Sequence, residues 1–493
     1  MYKAVLRPVS SLNVVIFCIC CAFLFPINAS SSVSLNQSVL LYDADLAPNL
    51  NCHFIHGKTP DFPDLPKPIL SDAFPNRYTG AMASELSAQH DYAAEFFMEW
   101  GAAALVREDA ANTFKQVLLK WVEQDALPIK QVLKRGSNNK THALFYYSQV
   151  TLLSITVNYA HNKAVFSSEE RSEVEDWIAS RIDAIADTPW VQEVDLDNKK
   201  YLFGTLQMAF GIAAGNKRRF DYGVDVYKRA ISGLRDDGSL VGDSERWGSA
   251  IHYSNSSIIS LVTIAQMAQN QGVDLYTFKK NGKSLDLAIS FLLDATDNPS
   301  VIYQYAKLGR HTGSFRGFTA SNQKNDWFNE HAQWAYFFST RFPNSALTKR
   351  MRLMIPLLRD GLPEDYVHHF NKLMGGSISC LAIDGSGRVI EDAEDDLPKK
   401  PKKPEYDRTK SGLSMRFDCL KAALSEVEKT TFPPDKAIDD LIDGLEGNKH
   451  YRTKRHLVKL GLSEKAVKAH KVALLRLVNF EGTNEAFCAK PLR

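Results

Sequence analysis

Residues 237–276 read DGSLVGDSERWGSAIHYSNSSIISLVTIAQMAQNQGVDLY. From Ile258 onward, Leu261, Val262, Ala265 and Ala268 recur at the three- and four-residue spacing of one helix face, and Gly272 is the residue type that ends such a helix. The same spacing continues outward on the N-terminal side. It runs through Val150, Leu153 and Val157, then Val174, Trp177, Ile178, Ile182 and Ile185, then Leu202, Leu206 and Phe210, then Val224, Tyr227, Ile231 and Leu234. Strand-like alternation is scarce, and Ser167 with Glu170 has the spacing of a capping box. Between about Ser84 and Phe342 the sequence therefore predicts an all-α protein built of helical hairpins. Periodicity alone leaves a bundle, a solenoid and a toroid of helix pairs open, and no fixed repeat motif is visible.

The ends of the chain have a different texture. Lys3 and Arg7 precede an apolar run from Val14 to Phe25 and small polar residues near Ala29 and Ser30, the layout of a secretory signal peptide. Residues 1–29 are thus expected to be a signal peptide, which implies a periplasmic or secreted protein with no stable membrane insertion after cleavage. Residues 30–83, rich in Pro, Asp and His, read as an irregular lead-in. After Cys380 come Gly385, Gly387, an acidic stretch and LPKKPKKP at 397–404, so 386–410 read as a charged linker before a small helical extension over 411–493. Cys52, Cys380, Cys419 and Cys488 lie beyond the signal and allow three pairings.

Across 493 residues, 59 Lys and Arg nearly balance 57 Asp and Glu, and the formal net charge of +2 gives no global field for nucleic acid. P-loop, dinucleotide, serine-elbow and HExxH motifs are absent from the sequence. Cys52, His53 and His56 lack a second cluster at ligand spacing, so no metal is assigned.

The opening stretch resembles the corresponding part of the helical-toroid alginate lyases, polysaccharide lyase family five. There an Asp-Gly-x-Leu turn precedes an Arg, a Tyr and a helix ending near Gly-Val-Asp-Leu; here these are Asp237 to Leu240, Arg246, Tyr253 and Gly272 to Leu275. A second family motif, Asn-His followed by Tyr, has its counterpart at Asn198, Lys199 and Tyr201. FPNRYTG at 74–80 and LMGG at 373–376 are weaker echoes, and the resemblance covers roughly 52–385. It implies an incomplete (α/α) toroid over 84–385. It further implies β-elimination on a mannuronate-rich, alginate-like polymer, an anionic polysaccharide as partner, no cofactor and a monomer.

The chemistry of these residues fits that expectation. Removing the proton at C5 of a uronate builds charge on a group already anionic, so something must neutralise the carboxylate first. Asn198 supplies hydrogen-bond donors, and Lys199 and Arg246 supply positive charge. A proton acceptor is also needed, and a phenol with a pKa of about 10 serves only where a cation favours its anion. If the segment is helical, the seven residues from Arg246 to Tyr253 place both on one face, two turns apart, whereas His252 points elsewhere unless the chain bends. In mannuronate the C5 proton and C4 oxygen share one side of the ring, so Tyr253 suits both transfers. Guluronate asks for a separate base, and Lys199 stands where the family has a histidine; at an ordinary pKa of about 10.4 it neutralises charge but accepts no proton. Mannuronate is therefore the expected substrate.

Two further departures are Ser254 where the family commonly has His, and Leu202 where a Trp often follows the motif Tyr. Arg77 and Tyr78 suit a loop over a cleft, and Trp327, Glu330, His331 and Trp334 form a cluster of the type that lines sugar subsites. Singly, each of these residues has a plainer reading as a core aromatic or a solvated charge. The same elimination on polyglucuronate, a non-catalytic binder of acidic polysaccharide and a helical scaffold without a cleft are the alternatives.

Overall fold

The computed structural model describes residues 34–37, 39–43, 62, 64–70, 80–129, 141–188, 191, 196–246, 249–298, 300–305, 331–355, 358, 370–377, 419 and 488–489. The signal-like segment, Cys52, His53, His56, Arg77, Tyr78, Trp327, Cys380 and the 386–410 linker lie outside them. Within the unit from Leu35 to Arg493, the longer helices are α1 (Gly80–Ala103), α2 (Glu108–Glu123), α3 (Thr141–His161), α4 (Ser168–Ala186), α5 (Asn198–Ala213) and α6 (Lys217–Ser232). They continue, after the single turn α7 (Val241–Ser244), with α8 (Ala250–Asn270), α9 (Leu285–Asp297), the short α10 (Ser300–Tyr303), α11 (Trp334–Arg341) and α12 (Ala346–Met354).

Packing sorts these helices into two layers. In one, α1 packs on α3, α3 on α5, α5 on α8 and α8 on α11; in the other, α2, α6 and α9 back α1, α5 and α8, while α4 packs on α2 and α3 and α12 on α9. Hairpins alternating between an inner and an outer layer make an incomplete α/α toroid, as expected from the resemblance. Two short antiparallel ladders, Lys279–Lys280 with Lys283–Ser284 and Phe370–Asn371 with Gly376–Ser377, are the strand pairs among the described residues.

The layers differ in what their sequences must solve. Outer α4 and α6 bury one stripe: Val174, Trp177, Ile178, Ile182 and Ile185 in α4, and Phe220, Val226, Tyr227 and Ile231 in α6. Inner α3, α5 and α8 are buried on nearly every side, and α5 hides every residue from Tyr201 to Ala213. Their buried hydroxyls would be costly without partners, and several bond to the carbonyl one turn back: Ser154 to Val150, Thr156 to Leu152, Thr205 to Tyr201 and Thr263 to Ile259. The expected stops are present. Ser167 and Glu170 form a reciprocal capping box. Gly272 (φ +80°) ends α8, its N–H on the Gln269 carbonyl at 2.9 Å and the Val273 N–H on that of Ala268 at 2.8 Å, the bond pair of a Schellman motif.

Two described segments outside the helices are tied to this frame. The Gln271 side chain accepts from the Asn36 N–H at 2.7 Å and donates to the Val39 carbonyl at 2.6 Å, pinning the 36–39 segment to the end of α8. The LMGG segment lies against α3, where Asn158 donates to the Gly375 carbonyl at 2.9 Å and a Cβ on Gly375 (φ +76°) would strike Leu153 and Val157 at 2.8 Å. Cys419 and Cys488 form a disulfide, their Cα atoms 5.2 Å apart. Among the described residues, no helix is long and apolar enough to cross a membrane.

Candidate active site

The candidate site gathers where the N-terminus of α5 meets the turn leading into α8. Asp197, in extended backbone, caps α5: its Oδ1 accepts from the Lys199 N–H at 3.1 Å and the Lys200 N–H at 3.4 Å. Its other oxygen takes the Arg246 guanidinium at 2.6 Å, with the Lys199 ammonium 3.8 Å away. Asp243 makes the matching link from the opposite side, accepting the Asn198 N–H at 3.3 Å on Oδ1 and the Ser257 hydroxyl at 2.5 Å on Oδ2. Gly242 allows the approach, because a Cβ there would meet the Leu196 carbonyl oxygen at 2.8 Å.

Behind this junction the Asp237-Gly238 turn is braced. The Ser239 N–H donates to Asp237 Oδ1 at 3.0 Å, and the Tyr305 hydroxyl donates to Asp237 Oδ2 at 2.5 Å. Arg235, stacked 4.1 Å from the Tyr305 ring centroid, pairs with buried Glu245 at 3.1 Å and donates to Ser244 at 2.6 Å. Gly238 (φ +92°) passes so close to the Leu287 carbonyl that a Cβ would come within 2.4 Å.

Arg246 and Tyr253 are brought together, though not by a shared helix. α8 starts at Ala250, and Arg246 sits in the preceding turn, its N–H on the Asp243 carbonyl at 3.1 Å. From there its guanidinium lies over the half-buried Tyr253 ring, 4.4 Å from the centroid. His252, one residue before Tyr253 within α8, has its ring centroid 5.4 Å from that of Tyr253 and 6.0 Å from that of His331. His331 is held through its carbonyl, which accepts from Asn255, and Asn255 in turn accepts from the Trp334 indole, both at 2.9 Å. Arg246, Tyr253, Asn198, Lys199, His252 and His331 thus converge on the α5–α8–α11 wall. Arg77, Tyr78 and Trp327 fall outside the described residues.

Tyr201 departs from its expected place at a substrate surface. It is 2% exposed, and burial, followed by the charges of Asp243 and Asp197, pushes its phenol well above the ordinary range. Ser254 is likewise buried, its hydroxyl without a protein partner.

Three groups were missed by sequence reasoning. Asp197 precedes Asn198 as a helix cap would, and Asp243 and Ser257 lie within the opening stretch, but only the fold shows that both acids are buried against one arginine. Burial pushes the Asp243 carboxyl up to about 7, with the Asp197 charge adding to the effect and the Ser257 hydrogen bond and Arg246 opposing it. Tyr146, near the start of α3, is a further neighbour: its phenol is pushed up first by burial and then by Tyr253. Asn198 Oδ1 and Arg246 Nε are buried atoms without a hydrogen-bond partner in the protein. No cluster of three metal-ligating side chains occurs among the described residues.

Comparison with known proteins agrees with this geometry. Residues 152–302 match the sequence profile of the family described as Alginate lyase. An alginate lyase of Pseudomonas syringae pv. syringae is 24% identical over 201 residues, which is 40% of this chain and 52% of that protein. A polysaccharide lyase of Stenotrophomonas maltophilia (strain K279a) is 24% identical over 205 residues, 40% of this chain and 57% of that protein. The chain thus spans about half the length of the curated relatives it matches. Alginate lyase A1-III of Sphingomonas species A1 superposes with a TM-score of 0.53 at 18% identity, covering 71% of this chain and 97% of that one. A tyrosine-to-phenylalanine variant of A1-III complexed with a tetrasaccharide gives 0.55 at 18% identity, covering 76% and 98%.

The fold is therefore that of the α/α-toroid polysaccharide lyases. More particularly, residues 152–302 resemble the alginate lyase family in sequence, and the fold resembles that of alginate lyase A1-III.

Proposed function

We propose that this chain is a polysaccharide lyase that cleaves a mannuronate-rich, alginate-like polymer by β-elimination, acting in the periplasm or outside the cell. The observation that carries the reading is the Arg246 guanidinium over the Tyr253 ring at 4.4 Å, beside Asn198 at the capped start of α5. A uronate carboxylate seated against Asn198, Arg246 and Lys199 would have its charge neutralised before the C5 proton leaves. Tyr253 then takes that proton as the C4=C5 double bond forms and the C4–O bond breaks, and it returns the proton to the departing C4 oxygen. One residue serves both steps because the two groups share a face in mannuronate.

Two buried side-chain atoms here have no hydrogen-bond partner in the protein: Arg246 Nε, which can donate to a carboxylate, and Asn198 Oδ1, which can only accept, as from a sugar hydroxyl. Lys199 faces Asp197 at 3.8 Å and supplies charge rather than a base. His252, with His331 beside it, sits one residue from the phenol and would flank the bound sugar. In this reading Arg77, Tyr78 and Trp327 are further candidate substrate contacts. A panel of polymannuronate, polyguluronate and polyglucuronate, read by the ultraviolet absorbance of the unsaturated uronate product, tests the proposal. Absorbance should rise fastest on polymannuronate. Equal rates on polyguluronate would remove the same-face argument, and binding without any rise would favour a non-catalytic binder.

A further inference from the structure

Four charged side chains meet at the α5–α8 junction, and they are unequally partnered. Asp197 holds Arg246 at 2.6 Å and Lys199 at 3.8 Å, whereas fully buried Asp243 has Arg246 Nε only at 3.9 Å, beyond hydrogen-bond reach. Its remaining partners are the Asn198 N–H and the Ser257 hydroxyl. With both acids ionised, the four side chains sum to zero; with Asp243 protonated they sum to one positive charge. A bound uronate would bring a third carboxylate to a site whose arginine already faces two.

We propose that Asp243 is a positioning residue that takes up a proton when the site binds a uronate, removing the second negative charge beside Arg246 so that its guanidinium faces the substrate's carboxylate. This rests on the function proposed above. The proton comes from solvent onto Asp243 Oδ2, and the Ser257 hydroxyl, 2.5 Å away, turns from donor to acceptor. The groups facing Asp243 are Asp197, Asn198 and Tyr201 from the start of α5, Arg246 from its own turn, and Ser257 from α8; Lys199 pairs with Asp197, and Glu245 with Arg235. Burial already holds the free Asp243 carboxyl at about 7, so the proton demand falls in an accessible range.

Calorimetry separates this inference from the function it rests on. The Tyr253→Phe chain, which keeps the ring and loses the proton carrier, is titrated with a mannuronate oligomer from about pH 6 to about pH 9 in buffers of different ionisation heat. Expected is uptake of about one proton per bound oligomer above about pH 7, with affinity falling about tenfold per pH unit there. Adding Asp243→Asn should abolish the uptake and flatten the pH dependence while binding persists. If that double variant does not fold, Ser257→Ala in the Tyr253→Phe background should move the onset of uptake to higher pH, because the hydroxyl favours the ionised acid. No uptake with Tyr253→Phe, uptake unchanged by Asp243→Asn, or an onset unmoved by Ser257→Ala overturns the inference. Failure of Tyr253→Phe to bind the oligomer at all overturns the proposed function itself, and this inference with it.

Discussion

Lys199 occupies the first turn of α5 beside Asn198, with its ammonium 3.8 Å from Asp197. Paired in this way, it carries positive charge where guluronate elimination would need a neutral base. Lys199→His should therefore raise turnover on guluronate-rich blocks by about 10²-fold, the lower end for a positioned general base, and change mannuronate turnover little. Parallel initial rates on the two block polymers check this. Arg246 differs in kind, since its guanidinium both stacks on Tyr253 and bonds Asp197. Arg246→Lys keeps the charge but loses the planar stack, and the expected outcome is a fall in kcat of about tenfold or more with the fold intact by circular dichroism.

At the scale of elements, the junction between α5 and the turn before α8 depends on close backbone approach. Gly242→Ala would put a methyl 2.8 Å from the Leu196 carbonyl, with Asp197 Cβ at 3.1 Å, and push the Asp197 cap away from Arg246. Loss of both melting temperature and kcat is expected. Ser167→Ala, at the opposite end of its hairpin, should cost about 1 kcal/mol by removing a capping box while kcat stays unchanged, so the pair separates a structural cap from a site-forming one. Thermal melts and steady-state kinetics on both variants decide it.

The elements themselves were largely legible. The Ser167–Glu170 start, the Gly272 stop and the α4 and α6 stripes follow from side-chain period and capping chemistry. Inner α3, α5 and α8 read only as one-sided helices in the sequence, because a helix buried on every side by neighbours distant along the chain has no polar face to reveal its surroundings. Spacing pairs Arg246 with Tyr253 only through a shared helix; α8 starts at Ala250, and the contact is made by a guanidinium from the preceding turn. Asp197 and Asp243 were overlooked because a buried carboxylate and a solvated loop acid are the same letter until the fold sets α5 against α8.

For the whole molecule, two buried groups titrate in opposing directions. Asp243 is raised from 3.8 to about 7, so the native state binds the extra proton and stability falls as pH rises through that window. His90, buried and hydrogen-bonded with Thr151 at 2.9 Å, is lowered by burial from 6.5 to about 3, so the unfolded chain binds the extra proton and stability falls as pH drops from 6.5. Over their shared range the two contributions oppose each other. Asp243→Asn removes one of them, and melting curves between about pH 4 and about pH 6.5 should show a steeper acid loss in the variant than in the natural chain.

The toroid brings Asn198 at the start of α5 onto one wall with Arg246 and Tyr253 from the turn into α8 and its first helical turn, and the proposed activity depends on the tyrosine oxygen. The most direct test compares Tyr253→Phe with the natural chain on polymannuronate, following the unsaturated product by absorbance. The account predicts that the natural chain generates it, and that the variant, with an unchanged melting curve and retained oligomer binding, loses about 10²-fold or more of kcat. A variant that turns over as fast as the natural chain would contradict it.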